Sequence, residues 1–243
     1  MKLITNFSVT MKLCDILYLS YLVPASRIRP FVPEILPLAY IDDRVFISIV
    51  IFHSSGVRLF NLPSLRFDYN QINLRTYVKD PQTKNHGVYF FRSGITSATI
   101  FFLSRFLNLP WENIQFSIKS ERDKEYHYVR YIASGDWQGK FNIEIQEASS
   151  QTMNSAPFST LEEAVQYLTG PLIGFYGSSQ KLQSFEIKHS HIQPRSCEVL
   201  NISFPLLTTS GLLRKREIHQ PINALLAHQG QFHVFLPSRL MKS

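Results

Sequence analysis

The chain has 243 residues, 44% hydrophobic and only 18% charged, which excludes intrinsic disorder and fits a well-covered globular core. Aromatics reach 13%, with 19 Phe and 11 Tyr against 2 Trp, and 13 Pro and 10 Gly punctuate the chain, favouring many short strands over helical bundles. The net charge of +7 is spread out, and its densest run, Leu213-Arg214-Lys215-Arg216-Glu217, is diluted by an acid, so nucleic acid is not an expected partner.

In chain order, the first residues do not make a secretory leader, because Asn6, Ser8, Thr10, Lys12 and Asp15 interrupt any apolar run. No apolar stretch approaches bilayer-spanning length. Cys14 and Cys197 lie far apart without metal-ligand spacing, so both read as small buried side chains in a reducing compartment. A soluble cytoplasmic protein with no membrane partner is expected. Leu38-Ala39-Tyr40 reads as a strand entering a hairpin turn at Asp42-Asp43. The run that follows, residues 45–52, is apolar on both faces and reads as a fully covered strand. Its outer face calls for a helix such as residues 97–107, or a partner subunit, as cover.

Strands are expected at residues 72–78, 87–93, 126–132, 140–146, 182–189 and 198–204, with a hairpin turn at 134–139. Residues 97–107 show helical spacing of Ala98, Phe101, Phe102 and Phe106 and stop before Asn108-Leu109-Pro110. A second helix opens on a capping box, Ser159 with Glu162, has an apolar face of Leu161, Ala164, Val165 and Leu168, and ends at Gly170-Pro171. Without repeats or a long linker, the expectation is one domain over residues 1–243, mainly antiparallel β with a few packing helices, closed as a barrel or stacked as a sandwich.

Alternation places Gln71, Asn73, Arg75 and Tyr77 on one face of a strand, and Ile72, Leu74, Thr76 and Val78 on the other. Such a polar face is either solvated or lines a cavity. Arg27 and Arg29 flank Ile28 before Pro30, and as solvated arginines on a surface turn they need no ligand. Arg92, sharing a face with Val88 and Phe90, reads as stacked on aromatics. His189 and His191 have no identifiable third ligand, so no metal is expected, and Lys188 with Glu186 reads as an exposed pair. No G-x-S-x-G and no Gly-rich phosphate loop occurs, and no cofactor is expected.

Leu19-Ser20-Tyr21-Leu22-Val23-Pro24 through Arg29-Pro30-Phe31-Val32-Pro33, then Asp43-Arg44-Val45-Phe46-Ile47-Ser48, resembles the opening blocks of the uncharacterised YqjF-like family (DUF2071). Ile72-Asn73-Leu74-Arg75-Thr76-Tyr77-Val78 is similar to that family's N-V-R-T-Y-V block, and residues 87–91, 97–110 and 168–189 look like its later blocks. His189-Ser190-His191-Ile192-Gln193-Pro194 departs from the family's H-P-P-W-P-L-Q. The family is similar to acetoacetate decarboxylase. The resemblance implies a closed, cone-like antiparallel β-barrel with flanking helices and an internal pocket, in a protein that assembles as a homo-oligomer. It implies that Gln71, Asn73, Arg75 and Tyr77 line the pocket, with Arg75 anchoring a small anionic or organic-acid ligand. It brings Arg29 toward the pocket as a basic residue. It also aligns Trp111 and Glu112 with the lysine pair that carries the decarboxylase Schiff base; neither has an amine, so that chemistry is not expected. Two readings stay open: a small-molecule-binding barrel that is an enzyme on an organic acid, or a non-catalytic sensor or interaction module.

Overall fold

The computed structural model describes residues 7–59, 66–106, 109–149 and 155–240. The strands are β1 (Phe7–Pro24), β2 (Arg44–Leu59), β3 (Arg66–Lys79), β4 (His86–Ile95), β5 (Trp111–Asn113), β6 (Gln115–Arg122), β7 (Tyr128–Asp136), β8 (Lys140–Glu147), β9 (Ile173–Tyr176), β10 (Gln183–His189), β11 (Arg195–Ser203) and β12 (Asn223–Leu240). The helices are α1 (Ala25–Ile28), α2 (Ala98–Phe106), α3 (Leu161–Thr169) and α4 (Pro205–Thr209). Leu107, Asn108 and residues 1–6, which the sequence reading also touched, lie outside the described residues.

Pairing runs β1-β2-β3-β4-β9-β10-β12, and β12 pairs back with β1, so seven strands close into a ring. All of these pairings are antiparallel except β4 with β9. Closure leaves no open edge in the ring. The fold is therefore mainly β with flanking helices, of the kind expected. β11 pairs with β12 through Arg195 and Ser196 and carries the order β11-β8-β7-β6 as a second layer. Two cores result. One, containing Val50, Phe52, Tyr69 and Phe46, lies inside the ring; the other, containing Ile47, Ile49, Ile72, Leu74, Tyr131, Ile143 and Ile145, lies between the ring's outer face and the second layer.

β2 shows why both its faces are apolar: Phe46, Val50 and Phe52 point into the ring, while Val45, Ile47, Ile49 and Ile51 point into the second core. The outer cover is the second layer of strands together with Leu206, Leu207, Leu212 and Leu213, and not α2 as expected. The phase of β1 switches midway. Val9, Met11 and Leu13 face inward, then a bulge between Cys14 and Leu17, with Asp15 at φ 52°, passes the inward role to Ile16 and Tyr18. A bulge at β3/β4 does the same to β4: Leu74 sits opposite Arg92 and Arg75 opposite Phe90, so Arg92 leaves the Phe90 face expected for it.

Three local expectations are corrected. Leu38 bridges Val78, and the Ala39 N–H donates to the Tyr77 carbonyl, so this segment runs along β3, although the turn from Ile41 to Arg44 forms. The α3 cap is one residue later: Thr160 accepts from the Glu163 N–H, and Glu163 accepts from the Ser159 N–H. The strand expected at 126–132 begins at Tyr128, because Tyr126 takes φ 63° and the Asp123 carboxylate accepts from the Glu125 and His127 N–H groups to make a turn.

Candidate functional site

The ring encloses a cavity of about 130 Å³. β3 contributes Tyr69, Gln71, Asn73 and Arg75, the face that alternation singled out. β1, β10 and β12 contribute mainly apolar side chains, among them Met11, Leu13, Ile187 and Val234. Gly174 on β9 allows another part of the wall. A Cβ there would fall 2.5 Å from the Phe185 ring, and without one Phe90 and Phe185 stack at 5.7 Å.

Arg75 is the single formally charged side chain lining the cavity among the described residues. Its Nη2 donates to the Leu168 carbonyl at 2.7 Å and lies 3.4 Å from the Tyr77 hydroxyl; its Nε is buried with no hydrogen-bond partner. The guanidinium lies over the rings of Tyr18 and Tyr77, at 5.6 and 5.4 Å. Leu168 belongs to the last turn of α3, so its carbonyl is one of those a helix leaves for outside donors, at the negative end of the dipole. Tyr77 donates to the same carbonyl at 3.0 Å and continues a chain through Ser48 to Ser20. Beyond Tyr77 the ring is plugged by Tyr167 and Phe158, which pack on Phe46. Gln71 Nε2 donates to Asn73 Oδ1 at 2.9 Å, so the two amides form one polar pair on the wall.

Tyr18 and Tyr69 on the wall are neutral hydroxyls. Burial pushes Tyr69 up to about 12 and raises Tyr18 further. His86, stacked on Tyr77 and hydrogen-bonded to the Tyr167 carbonyl, is held down at about 4, chiefly by burial and further by the charges of Arg75 and Lys79.

Of the residues singled out from sequence, Gln71, Asn73, Arg75 and Trp111 line the cavity, and Tyr77 packs at its plugged end. Arg29 and Glu112 do not reach it. Arg29 donates to the carbonyls of Val32, Pro33 and Leu36, tying its own turn. Glu112, on the opposite face of β5 from Trp111, pairs with Arg92 and accepts from Trp137 Nε1 at 3.0 Å. Arg27 is bound to Glu217. Sequence reasoning missed the β1 wall and the Leu168 carbonyl. Val9, Met11 and Leu13 do alternate with Ser8, Thr10 and Lys12, which was a usable strand signal; nothing local marks a carbonyl that acts through the tertiary fold.

The fold of this chain is similar to those of acetoacetate decarboxylase-like proteins. The enduracididine biosynthesis enzyme MppR, complexed with the condensation product of pyruvate and imidazole 4-carboxaldehyde, matches with TM-score 0.62 at 11% identity, over 97% of this chain and 88% of that one. Acetoacetate decarboxylase from Legionella pneumophila matches with TM-score 0.60 at 9% identity, over 96% and 87%. An acetoacetate decarboxylase-like enzyme from Sphingomonas wittichii matches with TM-score 0.60 at 11% identity, over 98% and 93%. At these identities the likeness is one of fold. The chain itself belongs to the DUF2071 family, described as an uncharacterized conserved protein, whose profile matches residues 10–229. No curated protein matches it.

Proposed function

We propose that this barrel binds a small organic acid, with Arg75 taking the carboxylate and Asn73 and Gln71 offering neutral hydrogen bonds beside it. The observation that carries the reading is the setting of the guanidinium. A permanent cation faces an apolar cavity, and no carboxylate among the described residues pairs with it. A helix-end carbonyl and two tyrosine faces compensate it in part, and an unpaired charge in such surroundings is costly. A carboxylate accepting from two guanidinium nitrogens supplies the planar, bidentate match that arginine geometry suits. MppR is described in complex with pyruvate, an organic acid, on the same fold.

The lining favours binding or sensing over Schiff-base chemistry. It includes no lysine among the described residues, and the tyrosines with raised pKa values are poor proton carriers at neutral pH. Calorimetric titration with a panel including pyruvate, acetoacetate and hexanoate tests the reading. Arg75→Lys keeps the charge and loses the fork, so the best-binding acid should weaken about 10- to 150-fold, the equivalent of about 1.5–3 kcal/mol. Arg75→Met should bind none of the panel measurably. Unchanged affinity in Arg75→Met would remove Arg75 from the site.

A further inference from the structure

We infer that the acid held by Arg75 carries an apolar tail: an amphipathic monocarboxylate, lying along the barrel with its head at the α3 plug, rather than a compact keto acid. This rests on the organic-acid reading and adds the substrate class to it.

The charge is at one end of the cavity. Arg75 contacts Tyr18, Tyr77 and the Leu168 carbonyl, next to the Tyr167 and Phe158 plug. From there the lining of β3 continues through Asn73 and Gln71 to Tyr69, six residues away, or roughly 20 Å at the usual strand rise. The pairing registers place β1 alongside. Tyr18 is opposite Val50, which is opposite Asn73; Leu13 is opposite Ser54, which is opposite Tyr69. Moving away from Arg75, the wall therefore passes from tyrosine and amide groups to Leu13, Met11 and Val9, with Ile187 and Val234 also in the lining. A three- or four-carbon acid seated on Arg75 reaches none of these. A tail of several methylenes buries itself first against Val50, Phe52 and Ile16, which lie nearer Arg75 in the same lining. A second carboxylate at the end of such a tail would fall among Phe52, Ile16 and the Gln71 amide, with no cation there among the described lining residues, so the site selects one charge and not two.

The test is a calorimetric series on the wild-type protein at pH 7.5: linear saturated monocarboxylates from propanoate to octanoate, with octanedioate and 1-octanol as controls. The dissociation constant should fall about fourfold per added methylene until the tail fills the cavity. Octanedioate should bind at least tenfold more weakly than octanoate, and Arg75→Met should weaken octanoate while leaving octanol unchanged. Short acids binding with no dependence on chain length would overturn this inference and leave the organic-acid reading standing. Failure of every acid in this series and in the keto-acid panel would overturn both. Octanol binding as tightly as octanoate would show an apolar cavity in which Arg75 anchors nothing, and would also overturn it.

Discussion

Arg75 and His86 both pack on the Tyr77 ring, and consecutive carbonyls of α3, Leu168 and Tyr167, hold them. The two groups differ in what they can do with charge. Arginine as a residue type carries a fixed charge, whereas His86 is kept neutral by burial, with a pKa of about 4. In the unfolded chain a histidine titrates near 6.5. Between those values the unfolded state binds more protons, so this group's contribution to stability is complete above about 6.5 and is lost as pH falls toward 4. Between pH 7 and 5 the loss is on the order of 2 kcal/mol. Urea unfolding of the wild type and His86→Asn at pH 7, 6 and 5 should show a shallower decline in the variant. Parallel declines would mean that the His86 ring titrates freely in the folded protein. Alternation put Arg75 on the polar face of β3, because β3 keeps its phase from Gln71 to Tyr77, and the family resemblance pointed that face at a pocket. Nothing in it announced His86, whose environment comes from α3, far away in the chain.

At the scale of elements, the bulges decide which side chains reach the cavity. Asp15 holds φ 52°, and its carboxylate accepts from Ser120 at 3.0 Å and from Tyr128 at 2.6 Å while pairing with Arg122, so the bulge in β1 is tied to the second layer. Deleting Asp15 forces one half of β1 to invert, sending either Val9, Met11 and Leu13 or Ile16 and Tyr18 to the wrong face. Asp15→Gly keeps the register, suits the positive φ and loses the polar ties. The deletion should therefore abolish cooperative unfolding or the soluble protein, while Asp15→Gly should remain folded with a melting temperature lowered by several degrees, read by circular dichroism. Equal stability of the two would show that the register of β1 is not fixed by this residue. The bulges also explain what the sequence hid. A period-2 reading handles β2 and β3, but it misassigns Arg92 in β4, whose phase shifts next to it, and it overlooks β1, whose apolar positions change parity at Asp15.

At the scale of the molecule, the same strands serve two cores, and the ring closes only when β1 meets β12 near the other end of the chain. The number of strands and the cost of open edges left a barrel and a sandwich both open, and the family resemblance pointed to the barrel; the second layer, which covers the outer faces of β1, β2 and β3, was not inferable, since apolar outer positions do not say what covers them. Closure gives the protein an interior apart from its packed cores, and Arg75 brings a permanent charge to the wall of that interior. The most direct test is a crystal structure of the protein soaked with hexanoate. The carboxylate should lie within about 3 Å of two Arg75 guanidinium nitrogens, with the chain directed toward Leu13 and Met11. A carboxylate bound elsewhere, or an Arg75 guanidinium that contacts only protein atoms while the acid occupies the cavity, would contradict the assignment of Arg75 as the anchor.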